Sequence, residues 1–148
     1  LVWNDVAWLR SKWDGPVLVK GVLHPEDARQ ALRHGVDGLI VSNHGGRQLD
    51  CAPSTISVLP QIMAIVNSQI PVFIDSGFRR GSDVAKALAC GATGAFFGRA
   101  IAYGLAQNGE QGVATVLSLL TQELERTMTL LGAGCPADLA ECLVPTAE

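Results

Sequence analysis

PVLVKGVLHPEDARQALRHGVDGLIVSN, residues 16–43, decides the fold class. It holds an apolar run (Pro16–Val22), a helical pattern (Pro25–His34) and a second apolar run (Gly38–Asn43). Both runs are continuously apolar rather than alternating, as parallel strands covered on both faces require. The segment between them opens with Pro25, Glu26 and Asp27, turns Ala28, Ala31 and Leu32 inward, and stops at Gly35. Strand, crossover helix and strand make one β-α-β unit.

On both sides of this unit the pattern continues. Further strand-like runs are Pro71–Ser76 and Gly94–Gly98. Ser54–Asn67 places Ile56, Leu59, Ile62, Met63 and Val66 at helical spacing, with Pro60 expected near its start or bending it. Ser82–Cys90 reads as a helix with a Ser82 cap and a Gly91 stop, and Arg99–Gln107 as another. Gln111–Leu131 puts Val113, Val116, Leu117, Leu120, Leu124 and Met128 on one side. Upstream, Val2, Val6, Leu9 and Trp13 share a helical face, and Trp3, Trp8 and Trp13 read as packing residues.

Four β/α units are half of a (β/α)8 TIM barrel, and also fit a small open α/β sheet. A half barrel would expose two sheet edges and an apolar inner face. The chain starts at Leu1 rather than Met. The expectation is therefore one α/β barrel domain of which residues 1–148 supply the C-terminal half, core 14–132 and tail 133–148. An N-terminal half of the same barrel would complete it.

Composition narrows the class. With 148 residues, 48% of them hydrophobic, the chain can bury a core. A net charge of −3 argues against a nucleic-acid surface. No apolar run approaches the roughly 20 residues of a membrane span, and no signal-peptide pattern opens the chain. The location expected is cytoplasmic, with peripheral attachment to the inner face of the membrane as the variant. Cys51, Cys90, Cys135 and Cys142 lack CxxC spacing and read as free thiols, not metal ligands.

Barrel chemistry collects at the C-terminal ends of strands. Here those ends carry Lys20, then Ser42 with His44 and Arg47, then Asp75 with Arg79, then Gly98 with Arg99. His44 is of the type that titrates near neutrality, and Arg47 offers a planar fork to a carboxylate. Asn43, Gly45 and Gly46 make a turn able to aim both at one pocket. Such a pair suits chemistry on an α-substituted acid; the plainer alternative for His44 is a loop histidine bonded to a carbonyl. Gln48 and Asp50 are expected to hold Arg47 or the loop. The glycines and arginines of Asp75-Ser76-Gly77-Phe78-Arg79-Arg80-Gly81-Ser82 and Gly98-Arg99 point to a phosphate at two helix starts, against tight turns with surface arginines. Arg80 reads as a surface or ion-pair residue. Lys20, inside an apolar strand beside Gly21, either faces water at an edge or sits over an anionic group. His24 and His34, at helix ends, read as structural or solvated.

These residues coincide with family motifs: LVKGV (18–22), SNHGGRQLD (42–50), DSGFRRGSD (75–83), KALACGA (86–92) and GRA (98–100). From near Asp5 to about Gly132 the chain resembles the C-terminal half of the FMN-dependent 2-hydroxy-acid oxidoreductases, which include glycolate oxidase, lactate oxidase, flavocytochrome b2, and lactate and mandelate dehydrogenases. SNHGGRQLDCA, DSGFRRGSD and GRAIAYGLA look most like the (S)-mandelate dehydrogenase branch. Oxidases more often carry glycine at the position of Ser76 and proline at that of Ala100.

The resemblance implies FMN as cofactor, with Lys20 at the flavin N1/O2 edge and Ser42 bonded to the ring. It implies that Asp75, Ser76, Gly77, Phe78 and Arg79, with Gly98 and Arg99, hold the ribityl phosphate. His44 would accept a proton, from the α-carbon or from the hydroxyl, and Arg47 would bind the substrate carboxylate. Quinone or oxygen would take the electrons, and the assembly would be a homotetramer. An active-site tyrosine pair, a second arginine, the aspartate orienting the histidine and a membrane-contacting loop would lie outside this chain. Lactate or glycolate as substrate, a flavin-dependent isomerase and an inactive half barrel are the alternatives.

Overall fold

A computed structural model describes residues 2–144. Leu1 and residues 145–148, the two ends of the expected domain, lie outside the described residues. The elements are α1 (Asn4–Arg10), β1 (Leu18–Val22), α2 (Pro25–Arg33), β2 (Gly38–Val41), α3 (Thr55–Val66), β3 (Val72–Ile74), α4 (Gly81–Ala89), β4 (Gly94–Ala95) and α5 (Arg99–Leu131). Short 3-10 segments occupy His44–Gly46 and Pro136–Cys142. The four strands form one parallel sheet in the order β1-β2-β3-β4, each followed by a helix. Four β/α units in series are what the apolar runs predict.

β3 and β4 are shorter than those runs. Single backbone bonds still extend the ladder past their ends: Asp75 N–H donates to the Val41 carbonyl at 3.0 Å and Phe96 N–H to Ile74 at 2.8 Å. The register pairs Lys20 with Ile40, Ile40 with Phe73, and Phe73 with Gly94. Val19, Leu39, Val41, Val72 and Ile74 therefore share the helix-covered face, where Leu39, Leu59, Ile62 and Ile74 are fully buried. Leu18, Ile40 and Phe73 share the opposite face, which is partly open, and Phe96 adds its exposed ring against Phe73 at 5.4 Å between centroids.

One irregularity sets up the site. The β1–β2 register shifts between Lys20 and Val22, where Gly21 has φ of +100°. In an unbroken strand Lys20 and Val22 would point the same way. The bulge sends Val22 into the core (3% exposed) and leaves Lys20 on the open face.

Three local expectations change. The N-terminal helix spans only Asn4–Arg10, so Trp13 lies beyond it. Val6 packs on the core and Trp3 stacks on His34 at 5.8 Å, whereas Val2, Trp8, Leu9 and Trp13 are exposed. What anchors this segment is Arg10, whose Nη2 donates to the Gly35 carbonyl and to Asp37, each at 2.6 Å. Secondly, Ser82 does not cap α4, which starts one residue earlier. The Asp83 carboxylate accepts the Arg79 and Arg80 N–H groups, both at 3.1 Å, and a carboxylate outcompetes a hydroxyl for that position. Thirdly, residues 133–144, read as a tail, fold back on the helices: Leu139 is fully buried with Ala133 against Ala85 and Ala89.

α5 is two helices in effect, as the two separate patterns require. Asn108 (φ −154°) and Gly109 (φ +53°) break it, and the halves fold against each other at Gly104 and Gly112. A Cβ on Gly104 would lie 2.6 Å from the Gly112 carbonyl oxygen, so the crossing admits no side chain. Gly112→Ala is expected to destabilise the fold by about 3 kcal/mol; a urea-unfolding midpoint equal to wild type would show that the crossing relaxes freely.

Candidate active site

The C-terminal strand ends bring Lys20, Ser42 and Asp75 together across three strands. Lys20 Nζ donates to Ser42 Oγ at 2.6 Å and pairs with Asp75 Oδ2 at 2.7 Å. Ser42 is 1% exposed, and among the described residues no buried side-chain polar atom lacks a partner. Burial of Asp75 works against its charge. Hydrogen bonds from Lys20, Ser42 and Ser76, with the Lys20 charge, outweigh burial and lower its pKa below the usual carboxylate value. Lys20 is thus not a water-facing edge residue alone: it is half of an ion pair facing the open side of the sheet.

His44 opens a turn of three successive left-handed residues, with φ of +55° at His44, +67° at Gly45 and +75° at Gly46. Glycine takes this conformation freely; histidine at the first position is held at a cost of about 1 kcal/mol. The restraints are visible. His44 N–H donates to Ser42 Oγ at 3.1 Å, and Gly45 N–H donates to Asn43 Oδ1 at 2.9 Å and Ser76 Oγ at 3.1 Å. Arg99 Nη2 donates to the Gly45 carbonyl at 2.9 Å. The His44 ring lies over the Gly21 bulge, where an added Cβ would come 3.5 Å from Cε1. No side-chain hydrogen bond engages its ring among the described residues, so the plainer reading, a histidine bonded to a carbonyl, does not hold.

Arg47 is exposed and has no ion-pair partner among the described residues. Neither Asp50 nor Gln48 holds it, contrary to expectation; Asn43 secures the loop instead, through Nδ2 to the Pro53 carbonyl at 3.1 Å. A free guanidinium beside a free imidazole is the arrangement that an anionic substrate needs. Both line a cavity of about 810 Å³ together with Asp75, Ser76, Gly77, Arg79, Gly98 and Arg99.

The two loops expected to bind phosphate differ in what they leave available. At the start of α4 the Arg79 and Arg80 N–H groups are taken by Asp83, and Gly81 N–H by Glu123 Oε2 at 2.9 Å. Those two carboxylates occupy the helix dipole where an anion was expected. Arg80 turns to Glu123 at 2.8 Å, the ion pair its reading allowed. Glu123, on α5, was not singled out in the sequence; its position on a distant helix carries no local signal. The start of α5 has no side-chain cap bond, and Arg79 and Arg99 are both free of carboxylates among the described residues. Phe78 packs its ring with the core, edge-on to Phe97 at 6.2 Å, and keeps only a small exposed part where it borders the cavity. Asp75, expected among the phosphate residues, spends its carboxylate on Lys20 and Ser76 and would repel a phosphate.

The family described as FMN-dependent dehydrogenase matches residues 1–145. The chain belongs to that family. It is 55% identical over 134 residues to a peroxisomal (S)-2-hydroxyacid oxidase of Arabidopsis thaliana, covering 90% of this chain and 36% of that one. An L-lactate dehydrogenase of Serratia proteamaculans is 49% identical over 138 residues, 93% of this chain and 36% of the relative. Among solved structures, the monotopic membrane protein (S)-mandelate dehydrogenase superposes with a TM-score of 0.89 at 50% identity, over 94% of this chain and 37% of that one. The chain thus spans little more than a third of the length of these relatives. Its fold class is the TIM-barrel flavoenzyme class, to which it supplies four β/α units, and FMN is the cofactor of the family.

The ionised Asp75 carries a stability signature. Its folded pKa is lowered, so its contribution is present above the unfolded value of about 3.9 and is lost as pH falls through the folded pKa. Asp75→Asn should destabilise at pH 7 by about 2 kcal/mol, since it weakens the partner of a half-buried ammonium. The gap to wild type should narrow as pH falls below about 3.9 and close once pH lies below the folded pKa. Urea midpoints measured from pH 7 down through the acid range follow it, and a gap that stays constant would remove the ion pair from the account.

Proposed function

We propose that the whole protein oxidises an (S)-2-hydroxy acid to the 2-keto acid with FMN, using His44 as proton acceptor and Arg47 as carboxylate clamp. The observation that carries this reading is the shared cavity: an imidazole and a guanidinium, both without a side-chain partner among the described residues, open into the same space as Arg79 and Arg99. The donor set fits FMN. Arg79, Arg99, the uncapped start of α5 and the Gly77 and Gly98 backbone suit a phosphate, and Lys20 with Ser42 suits the polar edge of a flavin ring.

Bound FMN supplies a two-electron acceptor. This chain's own residues bind, orient and move a proton. Arg47 fixes the carboxylate by charge-assisted hydrogen bonds, which discriminates an acid from a plain alcohol. His44 takes the proton released as the carbinol is oxidised, from the α-carbon or from the hydroxyl. Lys20, paired with Asp75 at 2.7 Å, would present its ammonium to the N1/O2 edge of the ring. Ser42, 1% exposed and with its hydroxyl engaged by Lys20 and the His44 N–H, anchors that ammonium and would act on the ring through it.

A mandelate-like substrate is the finer proposal, supported by the SNHGGRQLDCA and DSGFRRGSD motifs. Relatives named for 2-hydroxyacid, lactate and mandelate chemistry all stand near 50% identity, so lactate and glycolate are the alternative substrates within the same proposal. The remainder is of the same standing: residues 1–148 as the C-terminal half of one barrel domain with its core at 14–132, an N-terminal half covering the open face of Leu18, Ile40, Phe73 and Phe96, a homotetramer, and quinone or oxygen as acceptor. We place the protein in the cytoplasm, with peripheral contact at the inner membrane face, through a segment outside this chain, as the variant. The likeness to a monotopic membrane enzyme supports that placement. No helix among the described residues is long and apolar enough to cross a membrane.

Anaerobic addition of (S)-mandelate, L-lactate or glycolate to the flavin-loaded protein should bleach the flavin absorbance with one of them; bleaching by none sinks the proposal. Repeating the reaction in air and then with a quinone identifies the acceptor. His44→Ala should slow reduction about 1,000-fold while FMN stays bound, and reduction at the wild-type rate would remove the base assignment. Arg47→Met should raise KM about 100-fold, the equivalent of one charge-assisted pair; stopped-flow titration reads it, and an unchanged KM would place the carboxylate elsewhere.

A further inference from the structure

Ser76 stands where its conformation is unfavourable. Its φ is +73°, a region a glycine enters without steric penalty and a serine does not. What the serine adds there is its hydroxyl, which donates to Asp75 Oδ1 at 2.8 Å and accepts the Gly45 N–H at 3.1 Å. The hydroxyl has one proton, and the carboxylate claims it, so a lone pair is left facing Gly45. On the other side of the same residue, the Gly45 carbonyl accepts from Arg99 at 2.9 Å. The residue that follows His44 is thus gripped from the β3 loop through its N–H and from the start of α5 through its carbonyl.

This grip matters because the imidazole has no hydrogen bond of its own among the described residues. Within this chain its direction follows from the backbone of residues 44–46 and from the space over Gly21, and the aspartate that the resemblance implies outside this chain would act on the ring so placed. We propose that Ser76 is a positioning residue for His44: bridging Asp75 to the Gly45 N–H, it fixes the turn that aims the base. The proposal rests on the reading of His44 as the proton acceptor. It also connects that turn to Lys20, since the second Asp75 oxygen holds the ammonium at 2.7 Å. The base and the cation expected at the flavin edge belong to one chain of contacts, Lys20–Asp75–Ser76–Gly45.

Two variants of the complete flavin-loaded protein test this. Ser76→Gly removes the bridge and relieves the strained φ, whereas Ser76→Ala removes the bridge and keeps the strain. Both should lower kcat for flavin reduction tenfold or more, with FMN affinity and the binding of a non-reacting carboxylate analogue unchanged within twofold. In both, the His44 imidazole signals in a proton–nitrogen correlation spectrum should move. A Ser76→Gly protein with wild-type kcat and unmoved His44 signals would overturn the proposal, because relief of strain would then be the whole effect. So would loss of FMN binding in both variants, which would make Ser76 a cofactor residue. If the unsubstituted protein is reduced by no 2-hydroxy acid, the functional reading falls, and the His44 signals alone decide: movement in both variants upholds the bridge, and no movement refutes it.

Discussion

An ammonium placed among apolar strands must find a carboxylate, and the Lys20–Asp75 contact is where this sheet satisfies that demand. The pair reaches from β1 to β3, over the end of β2, and Ser42 closes the gap from below. Because the contact runs across strands, it fixes where all three stop relative to one another. The Gly21 bulge is the local device that permits it, turning Val22 into the core while Lys20 stays on the open face. From this one requirement the rest of the site follows: Asp75 orients Ser76, Ser76 and Ser42 hold the His44 turn, and the His44 ring fits over the residue that made the bulge.

The second constraint is competition for helix starts. α4 and α5 both begin after glycine- and arginine-bearing loops, yet only one is open to an anion. Asp83 and Glu123 fill the N–H groups ahead of α4, so negative charge is already present there. The α5 start, with Arg99 on it and Arg79 across from it, is where a phosphate would find donors without a competing carboxylate. Arg99 has a second duty in its bond to the Gly45 carbonyl. A group bound by Arg99 would therefore sit next to the base turn in the network as well as in space.

Much of the fold was readable because apolar periodicity reports burial directly. The four apolar runs became four parallel strands, and the two helical patterns from Arg99 to Leu131 stayed distinct across the break at Asn108–Gly109. Candidate site residues were readable for a different reason: the end of each strand is marked by where apolar residues stop, and chemistry sits just past it. Partners were not readable. Nothing near Arg80 or Gly81 announces Glu123, forty-two residues beyond Gly81, and Asp50 looked a nearer partner for Arg47 than the structure allows. Phe78 sits inside a polar, glycine-rich stretch, yet its ring belongs to the core because Phe97 faces it from the next loop.

By itself the sequence determined the class: parallel β/α units, strand ends rich in His, Arg, Lys and Asp, and motifs that place the chain in a flavin-dependent family. These are local properties, set by burial of consecutive side chains and by residue chemistry. Only the tertiary structure decided which charges meet, which helix start is free and which side chain clamps the His44 turn. Those outcomes depend on a one-residue shift at Gly21 and on contacts between segments tens of residues apart. No local pattern encodes them, since the free energy of each arises only when the strands are already in register.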